Sequence, residues 1–255
     1  MIVNIDGMDI SYKTTGKGKK LLLLHGWGGC VDSFLPTFNY LSQFFEVYAL
    51  DFPGHGKSSM PPEEGWNVDD YMKITLGFMD AVEIEKADII AHSFGGRVSI
   101  LLASKHPDRV NKLLLTGSAG LIPKRTFKYY FRVYKFKLLK RLYLAFTVGN
   151  NKKEKLEKFY KKYGSGDYKN SGALRKTFVK VVNQDLRPYL PDIKAPTLLI
   201  WGDNDEAAPY YFGQIMEKEI PDAALITFKG AGHFAYLEKN GEFNVIAKKF
   251  FEGNE

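Results

Sequence analysis

The stretch that decides the fold reads ADIIAHSFGG over residues 87–96. Its first five residues form an apolar run typical of a buried strand, and helical periodicity begins at Phe94. Ser93 therefore lies at a sharp strand-turn-helix corner, where the positions two before and two after the serine must be small. They are Ala91 and Gly95, and only Ser93 among the eleven serines has small residues at both positions.

Ser93 has two interpretations. In the first it is a nucleophile, because the start of a helix supplies backbone N–H groups that stabilise developing negative charge. In the second it only caps the helix that follows. A serine is not nucleophilic at neutral pH without a nearby base, so the choice depends on a histidine from elsewhere in the chain.

Strand and helix patterns alternate on both sides of this corner. Two short alternating runs, 2–5 and 8–12, are separated by Asp6-Gly7 and predict a β-hairpin. Further strand patterns cover 20–24, 46–50, 87–91, 110–116, 196–201 and 224–228, and helical patterns cover 33–44, 69–82, 94–105, 210–218 and 242–251. This order predicts an α/β fold with a mostly parallel central sheet and helices on both faces.

The alternation is interrupted from 121 to 193, which we interpret as an inserted helical cap, with 1–120 and 194–255 forming the core domain. Residues 121–190 hold 19 Lys or Arg and 4 Asp or Glu, whereas the net charge of the whole chain is +7. Solvated lysine faces of amphipathic helices explain this charge best; the alternative is a surface that attracts acidic substrates, anionic lipid or nucleic acid. An aromatic stripe is expected to pack the cap against the core: Tyr129, Tyr130, Phe131, Tyr134 and Phe136.

The composition is that of an ordinary globular protein, since 45% hydrophobic and 25% charged residues allow a core without disulfides or metals. Cys30 is the single cysteine, which excludes an intrachain disulfide and paired thiolate metal ligands and favours a reducing compartment. No export signal is visible, and the apolar runs are far shorter than the roughly 20 residues of a membrane-spanning helix. We expect a soluble, cytoplasmic protein.

The base for Ser93 must be one of five histidines. His233 directly follows the last strand, in a loop at the same carboxyl edge of the sheet as Ser93, where catalytic groups of open α/β sheets collect. His92 adjoins the serine but is expected to point away from it. The others lie in loops after strands or at a helix end: His25, His55 and His106. We predict His233 as the base.

The acid that orients His233 should lie in the loop after strand 196–201. Asp203, Asp205 and Glu206 all have the right chemistry there, and spacing alone does not choose among them, because such residues are also common turn formers.

An oxyanion is stabilised by two backbone N–H groups, one from the residue after the nucleophile and one from the loop after the third strand. These residues are Phe94 and Trp27. Trp27 belongs to the glycine-rich loop HGWGG at 25–29, whose backbone can approach a ligand closely. The loop has neither a Walker pattern nor a dinucleotide fingerprint, which argues against phosphate binding.

Five segments together resemble the α/β-hydrolase family. They are HGWG at 25–28, DFPGHGKS at 51–58, AHSFGG at 91–96, WGDND at 201–205 and GH at 232–233. In that family the acid is the aspartate three residues after the glycine of the fourth segment, so the resemblance implies Asp205. It also implies a serine hydrolase with a helical cap, with Ser93, His233 and Asp205 as the catalytic residues and with no cofactor or metal.

The mechanism that the resemblance implies is acyl transfer through a covalent intermediate on Ser93. We expect a small-molecule carboxylic ester as substrate. A thioesterase, a carbon–carbon bond hydrolase and a cofactor-free haloperoxidase are alternatives on the same fold; a serine at the corner disfavours dehalogenases and epoxide hydrolases. The alternatives outside this chemistry are a ligand receptor with little turnover and a basic membrane-surface or nucleic-acid module, although nucleic acid is not the expected partner. The motifs fix neither the acyl chain nor the oligomeric state.

Overall fold

A central sheet of eight strands runs through the part of the chain that the computed structural model describes, namely residues 1–123, 127–145, 152–163 and 171–253. The strands are β1 (Ile2–Ile5), β2 (Met8–Thr15), β3 (Lys20–Leu24), β4 (Glu46–Leu50), β5 (Ala87–His92), β6 (Val110–Thr116), β7 (Thr197–Gly202) and β8 (Ala223–Phe228). Their order is β1-β2-β4-β3-β5-β6-β7-β8. β2 pairs antiparallel with β1 and β4, and the other neighbours pair in parallel. The predicted hairpin and mostly parallel sheet are confirmed.

Helices cover both faces of this sheet. The described helices, including those of the insert, are α1 (Leu35–Leu41), α2 (Val68–Ala81), α3 (Phe94–Lys105), α4 (Phe127–Ala145), α5 (Lys152–Tyr163), α6 (Arg175–Asn183), α7 (Tyr211–Glu219), α8 (Ala235–Glu238) and α9 (Asn240–Glu252). Helices α2, α3 and α7 bury apolar side chains in one hydrophobic cluster, and α1, α8 and α9 bury theirs in another. The helices on both faces are thus confirmed.

One helix is shorter than its sequence pattern. The pattern at 33–44 predicts a single helix, whereas the structure has a 3-10 helix over Val31–Phe34 followed by α1. The reason is Pro36 in the first turn of α1, which lacks an N–H group and suits only the start of an α-helix. The other predicted helices of the core agree with the structure to within two residues at each end.

The interruption between β6 and β7 contains α4, α5 and α6. Residues 124–126, 146–151 and 164–170 of the predicted cap lie outside the described residues. The last part of the predicted cap packs into the core of the sheet, since Leu186, Leu190 and Ile193 are fully buried in the same cluster as α3. The division at residues 120 and 194 stays a prediction.

The prediction that the aromatic stripe packs against the core is wrong for two of its members. Phe131 and Tyr134 are 64% and 66% exposed. Phe136 contacts Phe159 of α5, with ring centroids 5.4 Å apart, so it packs within the insert. The side chains of the remaining two members, at positions 129 and 130, lie outside the description. The aromatic residues of the insert did not indicate which face of α4 is covered.

Among the described helices, none combines the length and the apolar character needed to cross a bilayer.

Candidate active site

Ser93 occupies the corner between β5, which ends at His92, and α3, which begins at Phe94. Its backbone has φ 49° and ψ −108°, a conformation that non-glycine residues rarely adopt and that the surrounding packing must enforce. A Cβ atom at Gly95 would lie 2.1 Å from the carbonyl oxygen of Leu24, so no side chain fits there. The need for a small residue after the serine therefore comes from a backbone contact with β3.

A chain of hydrogen bonds joins Ser93, His233 and Asp205, which are far apart in the sequence. Nε2 of His233 lies 3.1 Å from Oγ of Ser93, and Nδ1 of His233 lies 2.8 Å from Oδ2 of Asp205. Because an ionised carboxylate can only accept hydrogen bonds, Nδ1 carries the proton and donates it to Asp205. Nε2 is then available to accept the proton of the Ser93 hydroxyl.

The three acidic residues of the loop after β7 have different surroundings. Oδ1 of Asp205 accepts hydrogen bonds of 2.9 and 2.8 Å from two backbone N–H groups of its own loop, and its side chain is fully buried. Asp203 is exposed and accepts a hydrogen bond from the N–H of Gly230. Glu206 is exposed at the wall of a cavity. Of these three acidic residues, Asp205 is the one that is hydrogen-bonded to His233.

Gly117 lets the acid loop and the histidine loop come together. Its φ is 50°, and a Cβ atom there would lie 3.0 Å from the carbonyl oxygen of His233 and 3.1 Å from Oδ2 of Asp205. A side chain at this position would therefore press on both partners of the hydrogen bond.

Trp27 and Phe94 line the same cavity as Ser93. Phe94 is the first residue of α3, so its N–H has no carbonyl one turn earlier in the helix to bond. The N–H of Gly95 donates to the carbonyl of His25 at 3.1 Å, which ties the glycine-rich loop to the start of α3. The rings of Trp27 and Phe94 meet edge to face, 5.3 Å apart. The structure thus brings both predicted oxyanion donors close to Ser93.

His25 is buried behind this loop as a neutral imidazole. The N–H of Phe52 donates to its Nε2 at 3.0 Å, so Nδ1 carries the proton and donates to the carbonyl of Gly26 at 2.7 Å. Burial, with a smaller effect of the neighbouring His55, lowers the pKa of His25 to about 4. A proton on Nε2 would face the N–H of Phe52, so the position of the loop depends on the neutral ring.

His92 supports the ring of His233, a contact that the sequence analysis missed. Its Nδ1 lies 3.0 Å from the carbonyl oxygen of Thr116, and its ring centroid lies 4.7 Å from that of His233. Burial, followed by the charge of His233, lowers the pKa of His92 to about 3. Nδ1 therefore donates to Thr116.

Acidification is expected to destabilise the fold through His25 and His92. Both have folded-state pKa values below the ordinary 6.5, so the unfolded state binds more protons below that pH. Their contribution to stability is complete above about pH 6.5 and is lost as the pH falls toward the folded-state values. Each of these two histidines contributes about 2 kcal/mol less to the free energy of unfolding at about pH 5 than at about pH 7.5, a joint loss of about 4 kcal/mol. Burial also lowers the pKa of His55, which adds to this loss, and urea titration measures the total.

The matched control is His92→Asn, because an amide can still donate to Thr116 but does not titrate. Its free energy of unfolding should fall by about 2 kcal/mol less than that of the wild type over the same pH range. A wild-type unfolding free energy that is equal at the two pH values would contradict the neutral, buried state of both rings.

A cavity of about 870 Å³ opens beside Ser93. Part of its wall comes from side chains that the sequence analysis did not single out: Arg97, Leu121, Phe178, Val181 and Phe212. Arg97 had a usable signal, because a residue four positions after Ser93 in a helix lies on the same face. The lining residues of α6 had no such signal, because the pattern of a basic amphipathic helix does not indicate which part of the cavity wall the helix forms.

The chain is similar to known proteins in both sequence and fold. The family model described as alpha/beta hydrolase fold matches residues 19–240. The chain is 27% identical to 2-hydroxy-6-oxo-6-phenylhexa-2,4-dienoate hydrolase of Comamonas testosteroni, over 94% of the chain and 90% of that protein. It is 29% identical to 2-hydroxy-6-oxononadienedioate/2-hydroxy-6-oxononatrienedioate hydrolase of Paraburkholderia phymatum, again over 94% and 90%. A solved structure of a membrane phospholipase A is similar with a TM-score of 0.78 at 25% identity, over 99% of this chain and 85% of that one.

Proposed function

The chain belongs to the alpha/beta hydrolase fold family, and we propose that it is a serine hydrolase that cleaves a carboxylic ester with Ser93 as nucleophile. The observation that carries the proposal is the hydrogen-bonded chain from Oγ of Ser93 through His233 to Asp205, with distances of 3.1 and 2.8 Å. Binding alone requires no such order of groups, whereas covalent catalysis by serine uses each of them.

In the first half-reaction Oγ of Ser93 attacks the carbonyl carbon of the ester while Nε2 of His233 takes the hydroxyl proton. The N–H groups of Trp27 and Phe94 donate hydrogen bonds to the oxyanion that forms. The C–O bond to the alcohol then breaks, Nε2 gives its proton to the leaving alcohol, and the acyl group stays on Ser93. Asp205 stabilises the positive charge of the ring.

In the second half-reaction water attacks the acyl group, and Nε2 of His233 takes the water proton. The same N–H groups hold the second oxyanion. Collapse breaks the bond between Oγ of Ser93 and the acyl carbon, the proton returns to Oγ, and a carboxylic acid leaves. These steps use only residues of this chain and water.

We assign the role of cap to residues 121–193. Helix α6 supports this assignment, because Phe178 and Val181 line the cavity that contains Ser93. The ring of Phe178 also contacts the ring of Trp27, with centroids 5.4 Å apart. The cap would therefore form an apolar wall against which the substrate lies, in contact with the glycine-rich loop.

A fluorophosphonate probe tests the nucleophile, since it modifies serines that a base has activated. We expect a single adduct per chain, located on Ser93 by peptide mass spectrometry, together with turnover of p-nitrophenyl esters of short and medium chain. A folded protein that is not labelled would remove the hydrolase proposal and leave the ligand receptor as the better interpretation.

A second candidate is hydrolysis of a carbon–carbon bond. The two relatives are named as hydrolases of 2-hydroxy-6-oxo acids, which contain no ester, so hydrolysis must break a carbon–carbon bond beside the oxo group. Such substrates carry a carboxylate, and the cavity wall contains the buried Arg97. Burial lowers the pKa of Arg97 to about 10, which still leaves a cation at neutral pH.

Kinetics with both substrate classes separate the two candidates. Release of p-nitrophenolate reports ester cleavage, and loss of visible absorption reports cleavage of a 2-hydroxy-6-oxo dienoate. We expect the higher kcat/KM with an ester. A higher kcat/KM with the dienoate would establish the second candidate, and Arg97→Gln should then raise the KM for the dienoate without changing that for a neutral ester.

A further inference from the structure

Helix α4 presents an apolar stripe to solvent. Five positions of the helix, spaced three or four residues apart, fall within about 80° of one another around the helix axis. They are Phe127, Phe131, Tyr134, Leu138 and Leu142, with exposures of 88%, 64%, 66%, 58% and 46%. We call these five residues the outer stripe. Isolated exposed apolar residues need no explanation, but a contiguous set this large marks an interaction surface.

The opposite face of α4 is the one that packs against the rest of the insert. The rings of Phe136 and Tyr143 lie 5.4 and 5.2 Å from the ring of Phe159 in α5. Nζ of Lys140 lies 5.0 Å from the ring of Tyr160 in the same helix. Because these contacts hold the inner face, the outer stripe points away from α5.

Basic residues flank the outer stripe. Helix α4 contains six Lys or Arg and no Asp or Glu. Lys135 lies on one side of the stripe, and Lys137 and Arg141 lie on the other; all three are exposed. A long basic side chain beside apolar residues can keep its charge in the aqueous headgroup layer while its methylene groups follow the apolar surface.

We propose that the outer stripe of α4 docks onto an anionic lipid bilayer, with its apolar side chains in the boundary between headgroups and acyl chains. The charge complementarity favours an anionic surface, because the stripe is flanked by cations on both sides and α4 carries no carboxylate. Phosphates of a nucleic acid would match the lysines but would leave the apolar side chains facing a charged backbone. A second copy would place the cations of one α4 against those of the other.

This docking would bring the membrane close to the cavity. Pro123, which lines the cavity, precedes Phe127 by four residues, and four extended residues span at most about 14 Å. The start of the outer stripe therefore lies within that distance of the cavity wall. A docked protein would take apolar substrates from the lipid surface as well as from water.

Vesicle co-sedimentation tests the proposal, with Ser93→Ala as the background so that no lipid is consumed. Binding to vesicles with about 30% phosphatidylglycerol is compared with binding to pure phosphatidylcholine vesicles at low and high salt. The stripe variant is Phe131→Ser with Tyr134→Ser and Leu138→Ser. The matched control is Ile2→Ser with Met60→Ser and Val245→Ser, which removes three exposed apolar side chains that lie outside the insert. Circular dichroism establishes that each variant is folded.

We expect binding to the anionic vesicles only, weakened by salt. The stripe variant should partition on the order of 100-fold more weakly, and so should the charge variant Lys135→Glu with Lys137→Glu and Arg141→Glu. The control should bind like the parent. No binding to anionic vesicles, or equal binding by the stripe variant, would overturn the proposal. It would also be overturned by a dimer that only the stripe variant dissociates, or by retention on DNA without vesicle binding. The readout does not depend on turnover, so it is separate from the test of Ser93.

Discussion

Replacing Ser93 with Ala is expected to lower kcat/KM for a p-nitrophenyl ester by about 10⁴-fold or more and to abolish labelling by a fluorophosphonate. The substitution removes the one oxygen that lies 3.1 Å from Nε2 of His233. It adds no atom to the corner, and alanine meets the same backbone restriction as serine at φ 49°. The residual rate would come from binding and the oxyanion donors alone. Steady-state kinetics and labelling measure the two effects, and a thermal melt establishes that the variant is folded.

Ser99→Ala is the matched control for this substitution. Ser99 is a fully buried serine of α3, six positions after Ser93, and its Oγ donates to the carbonyl of Gly95 at 2.9 Å. Its loss should cost about 1 kcal/mol of stability and leave kcat/KM within a few-fold of wild type. Retained turnover in Ser93→Ala, or an equal loss in Ser99→Ala, would contradict the role of Ser93 as nucleophile.

The core of the fold was predictable because its signals are local. The apolar run before Ser93 and the small residues around it are set by neighbours in the chain, and the structure gives their reason in the contact between Gly95 and the backbone of β3. The position of β4 between β2 and β3 had no such signal. Strand order depends on contacts between residues distant in the sequence, which periodicity does not encode.

The insert also shows that a sequence pattern does not encode contacts between distant elements. The sequence predicts a helical insert, but apolar residues occur on both faces of α4. Phe136 is covered and Phe131 is not, because α5 lies on one side of α4.

The spacing of the sequence also did not determine which residue is the acid. Asp203 and Asp205 are two residues apart, and only the fold places one of them against a histidine 28 residues later in the chain. Family resemblance, rather than residue chemistry, selected Asp205 from the sequence.

Asp205→Asn is expected to lower kcat/KM by about 10⁴-fold while the protein stays folded. Oδ1 of Asp205 accepts two backbone hydrogen bonds, from the N–H groups of Ala207 and Ala208. In the variant the amide oxygen must stay there, because only an oxygen can accept them. The amide NH₂ group then takes the place of Oδ2, which lies 2.8 Å from Nδ1 of His233.

An NH₂ group in that place donates to Nδ1, so the imidazole must carry its proton on Nε2 instead. Nε2 can then no longer accept the proton of Ser93, and the nucleophile has no base. The effect should be smaller at high pH, where hydroxide replaces the missing base. A steeper rise of kcat/KM with pH than in the wild type is therefore part of the expected result, and a loss caused by unfolding alone would not produce it.

Asp203→Asn provides the matched control, since Asp203 has the same chemistry in the same loop. It accepts a hydrogen bond from the N–H of Gly230 on the exposed side, and an amide oxygen can accept that bond as well. We expect kcat/KM within a few-fold of wild type and an unchanged pH profile. If Asp203→Asn lost activity and Asp205→Asn kept it, the acid of this site would be Asp203, and the hydrogen bond between Asp205 and His233 would serve only to hold the two loops together.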